Sequence, residues 1–250
     1  MHLETIPSRR EFIAATAVGA VALTAASAVS AANTSDPTKE TAMITSPAFQ
    51  ASDALRPLPF DPSKLNGLSE RLVRSHWENN YGGSVKALVV VKKRLADAMG
   101  EKDLPPYVYN DLKREHLVRT GSVVFHEHYF DNLGGNGKAG AQERQTIGQA
   151  FGSFDNWEGE FRRIGAGLGG GSGWVVLGFN LHTRQLENYW MADHAHGPAA
   201  TVPVLVMDMY EHSYQMDYGA AAAKYIDAFF ENVNWDRVAA RLAAASAIKT

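Results

Sequence analysis

The pattern of apolar and polar positions changes period near the middle of the chain. Between residues 68 and 99 apolar side chains recur at helical spacing, through Leu68, Leu72, Val85, Leu88 and Leu95, with His76 on the same stripe. Gly82-Gly83 interrupts this run and predicts a weakened or kinked helix, at roughly 1 kcal/mol per glycine. Leu104-Pro105-Pro106 reads as a break. A second helix is predicted over 111–130, with Leu112, Glu115, Val118, Ser122 and His126 on one stripe. Two helices joined by a short proline-bearing link predict an antiparallel hairpin.

A glycine-rich stretch, 132–140, marks a boundary. Short helices follow at 142–151 and 155–165, with Ser153 or Asp155 as cap for the second. Then the period shortens. Segments 173–179, 185–192 and 202–207 read as strands, and 220–230 and 235–245 as closing helices. The expected class is α+β: an N-terminal α-helical hairpin, then an α/β domain with a three-stranded antiparallel sheet. The expected division is 55–135 for the hairpin domain and 136–250 for the α+β domain.

The first residues carry a different pattern. Ser8-Arg9-Arg10-Glu11-Phe12-Ile13 leads into an uncharged, alanine-rich stretch, 14–32. Paired arginines before a weakly hydrophobic segment resemble a twin-arginine export signal, here 1–31, with small residues at Ala26-Ser27-Ala28 and Val29-Ser30-Ala31 for cleavage. The segment is poor in leucine and would span a bilayer weakly, so no stable membrane insertion is expected after cleavage. This predicts an exported protein, periplasmic or extracellular. Residues 32–54 are polar and proline-containing, and read as a flexible arm. Pro57, Pro59 and Pro62 make 55–62 an extended lead-in.

Composition narrows the chemistry. With 45% hydrophobic residues in 250, a real core is affordable to the chain and disorder is not expected over most of it. The net charge of -3, with both signs interspersed, makes no electrostatic case for nucleic acid or an anionic membrane. No cysteine is present, which excludes disulfides, thiol catalysis and thiolate metal sites. Any metal must be held by nitrogen and oxygen.

Nine histidines are present, and three stand out by context. His76 and His126 lie on the apolar stripes of the predicted hairpin, where an unpaired imidazole is costly. His212 follows Asp208 by four, just after the apolar run Val202-Pro203-Val204-Leu205-Val206. An acid at a strand's exit and an imidazole one turn later can reach one point. Three imidazoles and one carboxylate suit iron, manganese or zinc.

At these residues the chain resembles the iron/manganese superoxide dismutases. The likeness is strongest over Asp208-Met209-Tyr210-Glu211-His212-Ser213-Tyr214-Gln215-Met216-Asp217-Tyr218. Phe151-Gly152-Ser153-Phe154, Gly171-Ser172-Gly173-Trp174 and Asn234-Trp235 match further family blocks in order. The resemblance implies one manganese or iron ion per subunit on His76, His126, Asp208 and His212, with superoxide anion as substrate. It implies a homodimer, possibly a tetramer, in which Glu211 crosses to the His212 ligand of the other subunit. It implies an aromatic cage of Trp174, Phe130, Tyr129 and Tyr210.

The departures from the family cluster. The tyrosine usual eight residues after the first ligand is Ser84, and the histidine four after it is Asn80. The tyrosine three after the last ligand is Gln215, and the usual tryptophan before that ligand is Tyr210. The glutamine that iron-type members place four residues before the second ligand is Ser122. Its manganese-type counterpart falls near Asp193-His194, so His194 is expected to serve the bound solvent, with His196 as the alternate. The ligand set is therefore expected to be intact within an altered proton-delivery shell, with a lean toward manganese or metal tolerance.

Overall fold

In a computed structural model the described residues are 46–249. The expected export signal, 1–31, and residues 32–45 of the expected arm lie outside them. Residues 46–54 lie within them. There Pro47–Phe49 forms a 3-10 turn, and the next residue, Gln50, accepts a hydrogen bond from Lys92 Nζ (2.7 Å).

The first helix, α1, spans Glu70–Ser75, capped by Ser69, whose Oγ accepts from Leu72 N. A π-helical turn, His76–Tyr81, follows without a break and leads into α2, Gly82–Met99. At Gly82-Gly83, where a weakened or kinked helix was expected, the chain continues as helix directly from the π turn. Gly82 has helical φ and ψ of -62° and -36°. A Cβ on Gly82 would meet Leu55 Cδ1 at 3.3 Å, so the missing side chain admits the extended lead-in. Packing overrides propensity here. The irregularity is the wide turn itself, which begins at His76. Such turns insert a residue and re-aim side chains.

Helix α3 spans Pro106–Asp131, starting five residues earlier than expected. Pro106 sits in its first turn, where its missing N–H costs nothing. Helices α2 and α3 pack as the expected hairpin. After it come α4 (Ala141–Phe151) and α5 (Phe154–Leu168), with Ser153 capping α5 through Asn156 N.

The sheet holds β1 (Trp174–Asn180), β2 (Gln185–Met191) and β3 (Thr201–Asp208) in the order β2-β1-β3, all antiparallel. The expected α+β class with a three-stranded antiparallel sheet is what the chain forms. Central β1 is buried from Trp174 through Phe179, which fits its apolar sequence and its coverage by α5. Pro203 is accommodated because β3 is an edge strand, and the register shifts beside it at Leu177/Gly178. A short helix, α6 (Gln215–Tyr218), was not expected, and α7 (Ala222–Glu231) and α8 (Trp235–Ala247) close the chain. The described residues belong to one compact unit, and one hydrophobic core runs through both the hairpin and the sheet half. Among the described residues no helix is long and apolar enough to cross a membrane.

Candidate metal centre

Four elements each bring one side chain to a common point. His76 opens the π turn, His126 sits in the last turns of α3, Asp208 ends β3, and His212 lies on the 3-10 turn Glu211–Ser213. One ligating atom from each falls within 4.8 Å of the others. His76, His126 and Asp208 are buried, and His212 is half-buried. The expected four residues are therefore the ones the fold brings together.

Backbone contacts set their orientation. His126 Nδ1–H donates to the Ser122 carbonyl one turn earlier (2.7 Å), which leaves Nε2 with its lone pair facing the cluster. Tyr210 N donates to Asp208 Oδ1 (2.8 Å), so Oδ2 is the oxygen turned toward the imidazoles. Nε2 of His76, His126 and His212 lies 3.1, 3.6 and 3.3 Å from Asp208 Oδ2. His126 Nε2 is beyond hydrogen-bond range of that oxygen, and His76 Nε2, though close to it, makes no hydrogen bond either. Two buried nitrogens without partners would be costly in an apolar core. Aimed at one point beside an ionised carboxylate, they form the donor set of a cation site. Three imidazole nitrogens and one carboxylate oxygen fit iron, manganese or zinc, a range that includes both ions the resemblance implies.

Burial also prepares the protonation states. It lowers the His76 pKa against the pull of Asp208, and it pushes His126 down to about 3 with His76 adding to the effect. Both imidazoles are neutral at neutral pH, as ligation requires. Burial by itself would raise Asp208, but His212 and then His76 outweigh it and hold the carboxyl well below its ordinary range.

Around this cluster stand the expected aromatics. Trp174 pairs directly with Asp208 across the strands and presents its edge to His126 (5.1 Å, 88°). Tyr129 and Phe130 lie 5.2 and 5.0 Å from the His76 ring. Tyr210 stacks between His194 (4.6 Å) and His212 (5.2 Å).

His194 and His196 were the two candidates for contact with bound solvent. His194 lies 5.9 Å from the His126 ring and accepts a hydrogen bond at Nδ1 from Trp174 Nε1 (3.0 Å). A neutral imidazole that accepts at Nδ1 carries its proton on Nε2. Burial, against the pull of Asp208, keeps His194 below its ordinary pKa, which favours that neutral form. His196 is exposed and paired with Asp193 (2.8 Å). The structure thus brings His194, and not His196, to the cluster.

An open recess of about 420 Å³ leads from solvent to His126 and His212. Asn80, Ser84, Ser122, His194 and Tyr210 line it. Ser84 and Ser122 share a hydrogen bond between their hydroxyls (2.7 Å), and Ser122 Oγ lies 3.3 Å from His126 Nδ1. The two serines are thus one buried polar pair beside a candidate ligand. Glu211 and Gln215 are both exposed beside His212.

Sequence reasoning missed several supporting residues. Tyr225 Oη donates to the Asp208 carbonyl (2.6 Å) and lies 3.3 Å from Tyr129 Oη. The Ser213 hydroxyl lies between the carbonyls of Asp208 (3.0 Å) and Tyr210 (2.7 Å). Gly121 lies on α3 directly beneath the His194 backbone, and a Cβ there would fall 1.8 Å from the His194 carbonyl oxygen. Its signal was an isolated glycine within a helical run, five residues before His126.

The fold and site define a helical hairpin joined to an α+β half, with a buried His/His/Asp/His cluster at the junction. Comparison with known proteins agrees. Residues 139–241 match the family model described as iron/manganese superoxide dismutases, C-terminal domain. A "Superoxide dismutase [Fe]" of Cupriavidus metallidurans is 49% identical over 191 residues, covering 76% of this chain and 96% of that protein. A "Superoxide dismutase [Fe]" of Aquifex aeolicus is 33% identical over 184 residues, 71% of this chain and 85% of that protein. A "Superoxide dismutase [Mn]" of Haloarcula marismortui is 30% identical over 190 residues, 74% of this chain and 91% of that protein. The chain belongs to the iron/manganese superoxide dismutase family.

Proposed function

We infer that the protein is a superoxide dismutase, with one iron or manganese ion per subunit held by His76, His126, Asp208 and His212. The observation that carries this reading is the convergence of four ligating atoms within 4.8 Å. When bound, the ion supplies a one-electron couple between +3 and +2, over which two superoxide anions and two protons become dioxygen and hydrogen peroxide.

The chain's own residues prepare and guard this chemistry. The Ser122 carbonyl holds the His126 ring so that Nε2 remains a lone-pair donor. Trp174 fixes the His194 tautomer, so that Nε2–H of His194 is free to donate to solvent bound in the recess. Tyr129, Phe130 and Trp174 exclude water from the inner side of the cluster. Ser84, Asn80, Ser122, Tyr210 and Gln215 make the proton-delivery shell atypical for the family. Activity is expected to persist with a changed pH dependence. The same departures support a second reading, a dismutase-like metal-binding protein whose activity is lost or redirected, for example toward peroxide.

The protein acts as a homodimer in this proposal, with Glu211 of each subunit orienting the other subunit's His212; a tetramer would add to that unit. Residues 1–31 direct export by the twin-arginine route to the periplasm or beyond.

The deciding experiment loads the purified protein with iron and manganese separately, then measures metal content and superoxide loss. Stoichiometric metal without dismutation would remove the leading reading and favour the second. His194→Ala should leave the metal in place and change the rate; an unchanged rate at full occupancy would dismiss its solvent-contact role. Replacing Arg9 and Arg10 by lysine should retain the protein in the cytoplasm, and normal export of that variant would refute the signal.

A further inference from the structure

Helix α7 buries Ala222, Tyr225, Ile226, Ala228, Phe229 and Phe230. Five of these six side chains have no polar atom, and Tyr225 alone carries a hydroxyl into the core. Such a group is costly when fully buried unless a partner meets it. The partner is the main-chain carbonyl of Asp208, 2.6 Å from Tyr225 Oη. A helix that carries none of the four candidate ligands therefore reaches the backbone of one of them.

Proton counts decide how strongly that carbonyl is held. A phenol has one proton and a carbonyl can only accept, so Tyr225 gives its proton to Asp208. Tyr129 Oη, 3.3 Å from Tyr225 Oη, is then a donor at longer than the usual O–H···O distance. The Ser213 hydroxyl lies 3.0 Å from the same Asp208 carbonyl, but its one proton has a nearer acceptor in the Tyr210 carbonyl at 2.7 Å. Among the described side chains Tyr225 is thus the donor committed to Asp208. Packing keeps it in place: Tyr214 stacks on Tyr225 (5.3 Å, 28°), and Phe229, one turn further along α7, stacks on Tyr129 (6.1 Å, 11°). Asp208 is held from two directions, by Tyr210 N at Oδ1 and by Tyr225 at the carbonyl. Its carboxylate is the one anion among the four candidate ligands, so its position weighs most on an ion's charge.

We propose that Tyr225 is a positioning residue for Asp208: by bonding the main-chain carbonyl it fixes where Oδ2 stands, and so sets how firmly the ion is kept and at what potential it is reduced. This rests on the ligand set of the dismutase reading above. Without the hydroxyl, the carbonyl is left with the shared proton of Ser213, and the end of β3 is free to shift away from the imidazoles. A carboxylate further from the ion stabilises +3 less relative to +2, so the reduction potential rises.

The test uses iron-loaded full-length protein and two isosteric variants, Tyr225→Phe and Tyr214→Phe. Loss of iron to EDTA, the reduction potential from a mediated titration, the ferric EPR signal and the urea midpoint are measured for each. Tyr225→Phe should lose iron about three- to tenfold faster, at the low end for a group that supports a ligand from outside the coordination sphere. Its potential should move upward, its ferric EPR signal should change, and kcat should fall with little change in KM. Tyr214→Phe is the control, because its hydroxyl accepts from Gly170 N (3.0 Å) and makes no recorded hydrogen bond to the four candidate ligands. That variant should lower the urea midpoint and keep the wild-type potential, EPR signal and rate of iron loss. A Tyr225→Phe protein that is less stable in urea but wild type in those three readouts would overturn the proposal, and so would equal shifts in both variants. An inactive, fully loaded wild type would instead overturn the dismutase reading, while potential and iron loss still decide the role of Tyr225.

Discussion

Gly121→Ala tests whether the His194 position matters to the reaction. A Cβ on Gly121 would fall 1.8 Å from the His194 carbonyl oxygen and 2.9 Å from its carbonyl carbon. Real Cβ contacts essentially never fall below 3.0 Å, so at least 1.2 Å of separation must open between helix and loop. Both clashing atoms are backbone, so no side-chain rotation relieves the overlap. Helix α3 is pinned by its packing against α2 and β3, and the loop 192–200 is therefore the part that moves. Its Trp174–His194 hydrogen bond starts at 3.0 Å, and a shift of that size along the bond would break it. A misplacement of about 1 Å in a catalytic group costs on the order of 10²-fold in rate. We expect Gly121→Ala to keep full metal occupancy and lose about ten- to a hundredfold in activity. Superoxide loss per bound metal is the assay. Gly159→Ala is the control: it is exposed on α5, with nothing within 4 Å of the added Cβ. That variant should gain about 0.5–1 kcal/mol from helix propensity with no change in rate. A wild-type rate per metal in Gly121→Ala would refute the positional argument.

Three further predictions concern the ligands and the frame. His126→Ala should lower metal content to a small fraction of wild type by elemental analysis; full occupancy would refute its assignment as a ligand. The metal-free protein should lose stability in acid. The folded pKa of His126 is pushed down to about 3 and that of His128 to about 4, each first by burial, while the unfolded state takes up those protons near 6.5. Stability is thus present above about pH 6.5 and lost as pH falls toward 4, and a denaturant midpoint that rises over this interval would contradict it. Arg241→Met should destabilise the fold by about 1–3 kcal/mol, because it strips a partner from buried Asn132. Arg241 Nη1 donates to Asn132 Oδ1 (2.6 Å) and to the Val204 carbonyl (2.9 Å), tying α3 to β3. An unchanged midpoint in urea would show that the tie contributes nothing.

Periodicity found the hairpin, the three strands and the closing helices, because their apolar stripes face a core that covers one side or both. It missed α6, which at Gln215–Tyr218 is too short to show a period. It could not show what Gly82 makes room for, because that is Leu55, 27 residues away by sequence. The π turn left no local mark either, although it is what presents His76 to the cluster.

The candidate ligands were legible because their chemistry is unusual where they stand. An imidazole on an apolar helical stripe and an acid at the end of an apolar strand are costly unless something pairs them. The order of these residues along the chain, read with the family's blocks, named the set. Tertiary structure alone decided what surrounds them. It chose His194 over His196 by a hydrogen bond from Trp174, 20 residues away. It joined Ser84 to Ser122 across two helices and placed Gly121 beneath a loop. Ligand identity follows from what a residue is and which element carries it. Orientation, protonation and access depend on distances between segments far apart in the chain, which only their packing sets.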